Sequence, residues 1–87
     1  MTRPTLFEFP CNFPLKIMGA ADAGFVQSVV EVVLKHARDF DAESVETRPS
    51  KAGNYLSLTC TVRAVSQAQL DALYRDLTAH PMVKVVL

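Results

Sequence analysis

Tryptophan is absent from this chain of 87 residues, glycine occurs three times, cysteine twice, and neither sign of charge outnumbers the other. Each shortage removes a class of function. Nine basic against nine acidic side chains put no net charge behind counterion release from a nucleic-acid backbone, so the overall electrostatics argue against a nucleic-acid partner. Cys11 and Cys60 stand far apart, with no second cysteine pair and no histidine at metal-ligand spacing. That pattern predicts no metal and no cofactor, and it fits a reducing cytoplasm. No apolar run approaches the roughly 18 residues that cross a bilayer, and Met1 to Pro10 lacks the basic start and apolar stretch of a signal peptide. The expectation is a cytoplasmic chain with no membrane segment.

What is present is an ordinary globular balance, 49% hydrophobic and 21% charged residues, in a length that holds one domain. A chain this short removes only about 60 to 65% of its unfolded surface from water, so its stability is modest and dimerisation would add to it.

Residues 1–11, with Pro4 and Pro10 among Leu6, Phe7 and Phe9, read as an irregular arm lying on a domain of residues 12–87. From Asn12 to Met18 the alternation of Phe13, Leu15 and Ile17 with polar neighbours has the period of a half-buried strand, and Pro14 places its start at an edge or a ladder end. Gly19 to Ala21 form a turn, and Asp22 is placed to cap a helix that runs to about Asp39 on a stripe of Phe25, Val26, Val29, Val30, Val33 and Ala37. Val45 to Arg48 is a weak strand cut by Pro49. After turn chemistry from Ser50 to Asn54 comes the clearest strand, Tyr55 to Ala64, with Leu56, Leu58, Cys60, Val62 and Ala64 on one face and Tyr55, Ser57, Thr59, Thr61 and Arg63 on the other. Ser66 with Gln69 is a capping box opening a second helix on Leu70, Leu73, Tyr74 and Leu77, and Met82 to Leu87 closes the domain as a strand. This order predicts an α+β ferredoxin-like β-α-β-β-α-β sandwich, a four-stranded antiparallel sheet in the order 4-1-3-2 with two helices on one face.

The blocks Leu6-Phe7-Glu8-Phe9-Pro10, Lys16-Ile17-Met18-Gly19, Val30-Glu31-Val32-Val33, His36-Ala37, Pro49-Ser50-Lys51-Ala52-Gly53-Asn54-Tyr55 and Val83-Lys84-Val85-Val86-Leu87 together resemble the YbeD-like family of small bacterial proteins. The resemblance runs from Leu6 to Leu87. It implies a fold similar to the ACT regulatory domains and no established enzymatic role.

Two surfaces are candidate contacts for a ligand or partner. Gly19 to Asp22 precede a helix N-terminus, where ACT-like domains bind amino acids, although Asp22 as a cap would itself occupy those donors. Ser50, Lys51, Gly53 and Asn54 form a glycine turn beside Arg48 and Tyr55, the most concentrated basic point of the chain, with a hairpin as the plainer reading. For RNA, Tyr55 is the one ring on its face of the third strand where stacking needs more. No catalytic residue is assigned: His36 and His80 lack nearby ligands, Cys60 points into the core, and Cys11 has no activating partner. The reading is a regulatory or adaptor domain that self-associates as a homodimer and binds a protein partner or small metabolite. Its alternatives are a small accessory enzyme using Lys51, His36 or Cys11, and an RNA-binding module.

Overall fold

The computed structural model of the chain describes residues 8–87, so most of the expected arm lies outside the described residues. Two long strands set the frame. β1 (Cys11–Ala20) and β3 (Tyr55–Ala64) pair antiparallel without a slip, from Cys11 opposite Ala64 to Ala20 opposite Tyr55. Alternation then sends Leu15 and Ile17 of β1 and Leu58, Cys60 and Val62 of β3 into the interior, while Lys16, Thr61 and Arg63 stay outside. β2 (Glu46–Pro49) pairs antiparallel with β3, and β4 (Val83–Val86) pairs antiparallel with β1, for a sheet order β2-β3-β1-β4. That is the expected 4-1-3-2 arrangement.

α1 (Phe25–His36) joins β1 to β2, and α2 (Gln67–Ala79) joins β3 to β4. Phe25, Val29 and Val33 of α1 and Leu70, Leu73 and Leu77 of α2 enter one buried cluster with the inward strand residues, so both helices cover one face. Valines give α1 only middling intrinsic helix propensity, and burial of a large side chain at about 1.5–3 kcal/mol is what holds it. α2 begins on the expected cap: the Ser66 hydroxyl accepts from Gln69 N–H at 3.1 Å. The Gln69 side chain accepts in turn from Val65 N–H at 2.7 Å and donates to the His36 carbonyl at 2.7 Å, tying the start of α2 to the end of α1.

Several boundaries differ from those expected. β1 starts at Cys11 and runs to Ala20, so the arm ends at Pro10 and its Phe9 packs half-buried against the core. Pro14 lies inside this central strand, at a ladder end. Lys16 exchanges both backbone bonds with Leu87, so by alternation the donor that Pro14 lacks would point beyond the end of β4. α1 stops at His36, and it begins only at Phe25 because Asp22 does not cap it: its carboxylate accepts from Gly24 N–H at 3.0 Å and its carbonyl from Phe25 N–H at 3.0 Å, a tight turn ahead of the helix. Beyond α1, Ala37 and the unforeseen Phe40 are buried, and Asp41 caps a short 3-10 turn, Ala42–Ser44, by accepting from Glu43 N–H at 3.0 Å.

Gly19 is part of β1 and is buried, whereas the sequence placed it in the turn. A β-carbon there would collide with the Met82 carbonyl oxygen and the Phe25 ring, so the glycine lets β4 and α1 close over the strand. The β1–β4 register also shifts between Met18 and Gly19, at this same close approach. Gly19→Ala is therefore expected to destabilise the fold by about 1–3 kcal/mol in urea unfolding. Gly24→Ala, where a β-carbon meets only the Asp22 carboxylate at ordinary contact distance and the backbone angle is ordinary, serves as the control and is expected to cost less. Equal effects from the two substitutions would contradict this account of Gly19.

Candidate functional site

The β2–β3 hairpin closes through its own turn residues. Ser50 N–H donates to the Tyr55 carbonyl at 2.9 Å, and the Ser50 hydroxyl accepts from Tyr55 N–H at 3.1 Å. Gly53, at φ +78°, donates to the Ser50 carbonyl at 3.0 Å in a conformation that disfavours a side chain. Ser50 and Gly53 thus shape the tip. Lys51, Asn54 and Tyr55 are exposed on it.

The register of β1 and β3 brings this tip to the other candidate segment. Ala20 lies opposite Tyr55, and one step further Ala21 N–H donates to the Asn54 carbonyl at 3.0 Å. The hairpin tip and the β1–α1 turn form one continuous end of the domain. Asp22 sits there exposed, its carboxylate engaged with Gly24 N–H; Gly19 does not, being buried one strand position too early.

Arg48 departs from the expected pairing with Lys51. It lies opposite Ser57 on the open face of the sheet, the face that no helix covers. Its neighbours there are Lys16, Glu46, Ser57 and Thr59, which with it line a shallow polar hollow of about 180 Å³. A second hollow of about 190 Å³ adjoins it across Arg48 and Ser57 and is walled by Met18, Pro49, Tyr55 and Leu56. Among the described residues neither Lys16 nor Arg48 has an ion-pair partner. The sequence reading missed Lys16. Its only signal was a place on the polar side of β1, and nothing short of cross-strand register sets Lys16 against Thr59 and Thr59 against Glu46.

The remaining chemical groups lie elsewhere. His36, at the end of α1, meets Asp76 of α2 at 2.6 Å, and Lys35 stands 3.9 Å from the same carboxylate. An ionised carboxylate only accepts, so the histidine Nε2 carries the hydrogen. That bond is the main reason the Asp76 carboxyl sits below its ordinary value of 3.8; partial desolvation opposes it, and the charges of Lys35, His36 and Arg75 assist. Burial pushes the Cys60 thiol up to about 11, while Cys11 is half-buried. Among the described residues no group of three or more His, Cys, Asp or Glu side chains is placed to hold a metal, and no helix is long and apolar enough to cross a membrane.

A family described as "protein of unknown function (DUF493)" matches residues 4–87. The chain belongs to the DUF493 family. A UPF0250 protein of Paraburkholderia phytofirmans is 59% identical over 83 residues, covering 95% of this chain and 93% of its own. Another, from Nitrosomonas europaea, is 53% identical over 87 residues and covers both chains fully. The YbeD-like resemblance is thereby placed on firm ground. Among solved structures, the C-terminal domain of the MgtC protein from Mycobacterium tuberculosis superimposes with a TM-score of 0.66 at 17% identity, over 94% of this chain and 89% of that one. At that identity the likeness concerns the fold of this DUF493 chain alone.

Two outcomes test the electrostatics of the family member described here. Because the folded-state value of Asp76 is the lower one, the unfolded chain takes up the proton first as pH falls; the contribution of the pair is complete above about pH 4 and is lost as pH drops through the folded value. Urea midpoints should show the stability gap between the native chain and Asp76→Asn shrinking below about pH 4, and a gap that persists unchanged into strong acid would refute the assignment. A thiol reagent at neutral pH should label Cys11 in the folded protein and reach Cys60 only after denaturation. Equal labelling rates in the folded state would remove the inert-core reading of Cys60.

Proposed function

We propose that this member of the DUF493 family is a non-catalytic regulatory or adaptor domain of the cytoplasm, and that it binds a protein partner or a small metabolite at the end of the sheet where the hairpin tip meets the β1–α1 turn. The observation that carries this reading is the hydrogen bond from Ala21 N–H to the Asn54 carbonyl, which makes one surface of two segments each singled out on sequence grounds. Lys51, Asn54 and Tyr55 supply a cation, an amide and a ring on that surface, and Asp22 is exposed on the adjoining turn; Ser50, Gly53 and Gly19 hold the backbone in shape. Arg48 flanks the surface from the sheet. The ACT-like resemblance points to this end of the fold as well, since ACT-like domains bind amino acids at the corresponding turn.

Support for a non-catalytic role comes from where the reactive groups are spent. The Cys60 thiol is buried, and the His36–Asp76 pair is committed to the contact between helices. Against an RNA module stands the same shortage noted in the sequence: among the outward positions of the described strands Tyr55 is the one aromatic side chain. The unpaired state of both cysteines favours a reducing compartment.

Amide NMR spectra of the labelled chain, recorded with the small-molecule fraction and then with the protein fraction of a bacterial lysate, test the proposal. Shifts concentrated on residues 20–23 and 50–55 with one fraction, and abolished by Lys51→Glu, are the expected result. Shifts confined to another surface, or none with either fraction, would overturn it.

A further inference from the structure

The open face of the sheet has a pattern that becomes evident only when the strands are set in register. At one level stand Glu46 of β2, Thr59 of β3, Lys16 of β1 and, beside Lys16, Leu87. At the next stand Arg48, Ser57, Met18 and Val85. Flanking these are Thr61 with Pro14 on one side and Tyr55 with Ala20 on the other. Val85, Leu87 and Tyr55 are among the most exposed large apolar side chains of the domain, at 43%, 65% and 51%.

We propose that two copies of this chain pack through this face about a two-fold axis that runs across the strands, between the level of Glu46 and the level of Arg48. Such an axis lays each strand over its own copy with the two levels exchanged. Glu46 then faces the Arg48 of the other copy, and Arg48 its Glu46. Thr59 faces Ser57, hydroxyl to hydroxyl. The stem of Lys16 lies on Met18, an apolar surface that leaves its ammonium free to reach water. Val85 faces Leu87, apolar against apolar, and Tyr55 faces Thr61 beyond them. Sheet twist makes the packed strands cross at an angle, but each crossing falls on the axis and Glu46 and Arg48 lie only about 3.4 Å to either side of it, so the twist displaces these partners little.

A second copy is the occupant that this face fits because exchanging the two levels sets Glu46 against Arg48, Thr59 against Ser57 and Leu87 against Val85, an unlike charge pair, a hydroxyl pair and an apolar pair. Arg48, without an ion-pair partner among the described residues, then faces the Glu46 carboxylate of the other copy. With strands about 4.8 Å apart and same-face residues about 6.8 Å apart, the face offers a few hundred Å² per copy, the low end for specific association, so the dimer is weak and concentration-dependent. The tip, Lys51 to Asn54, lies past the last matched level. Arg48 and Tyr55 border both surfaces, so the dimer goes beyond the binding role proposed above and is separated from it by the variants used, Lys51→Glu at the tip for binding and Glu46→Arg on the face for association.

Sedimentation equilibrium of the full chain from micromolar to millimolar concentration tests the interface. The native chain is expected to dimerise within that range. Glu46→Arg and Arg48→Glu each put like charges opposite one another twice in every dimer, and each should weaken association by about tenfold or more. The double variant Glu46→Arg/Arg48→Glu restores unlike pairs and should recover dimerisation, and an equimolar mixture of the two single variants should form a heterodimer. Val85→Lys should weaken the dimer from the opposite end of the axis. Both β2 positions are exposed, so the variants should keep the native unfolding midpoint, which circular dichroism checks. A native chain that stays monomeric throughout overturns the proposal. So does a dimer indifferent to the single substitutions, or one that neither the double variant nor the mixture rescues.

Discussion

The continuous antiparallel pairing of β1 with β3 is the constraint on which the rest of the molecule depends. Because side chains alternate along both strands, one register decides two things together. Leu15, Ile17, Leu58, Cys60 and Val62 become a dry floor for the helices, and Lys16, Met18, Ser57 and Thr59 become an exposed face. A slip of one residue would exchange the two sets, so burial of the apolar set enforces the position of the polar one. The same register puts Ala20 beside Tyr55, and with them the two turns that meet through Ala21 and Asn54.

The helices are held to each other by few polar contacts, and these are concentrated at the end of α1. The last carbonyls of a helix lack intrahelical partners, and that of His36 takes a hydrogen bond from the Gln69 side chain. About two turns further along α2, Asp76 engages the His36 ring. A glutamine that reads in sequence as half of a capping box thus also receives the end of another helix. These contacts account for chemically suggestive residues that would otherwise invite a catalytic reading, while Lys16 and Arg48 on the helix-free side of the sheet and Lys51 at the hairpin tip stand without an ion pair among the described residues.

Family membership and fold agree with each other, and neither names a reaction. The functional reading rests on how the surface is organised: a tip built by Ser50 and Gly53, joined to the β1–α1 turn, and next to it a face whose acidic, hydroxyl and apolar positions match themselves under a two-fold rotation. A small domain with a modest core gains from covering such a face.

Much of the fold was legible in the chain because its signals are local. The period of two in Tyr55–Ala64, the Ser66–Gln69 cap and the stripes of Phe25, Val29, Val33 and of Leu70, Leu73, Leu77 each follow from side-chain direction along a single element. The errors arose where a residue had a choice of partners. Asp22 was legible as a donor-seeking carboxylate but not as one that would take Gly24 N–H in a turn instead of capping the helix. Gly19 gave no sign that Phe25 and the backbone at Met82 would close over it. Lys16 with Arg48, His36 with Asp76 and Ala21 with Asn54 are separated by tens of residues, and no local preference distinguishes those pairs from any others. By itself the sequence determined which elements form and which face of each is apolar, since those depend on neighbours a few residues away; tertiary structure alone decided which polar groups meet, because strand register and helix docking set distances that chain proximity does not encode.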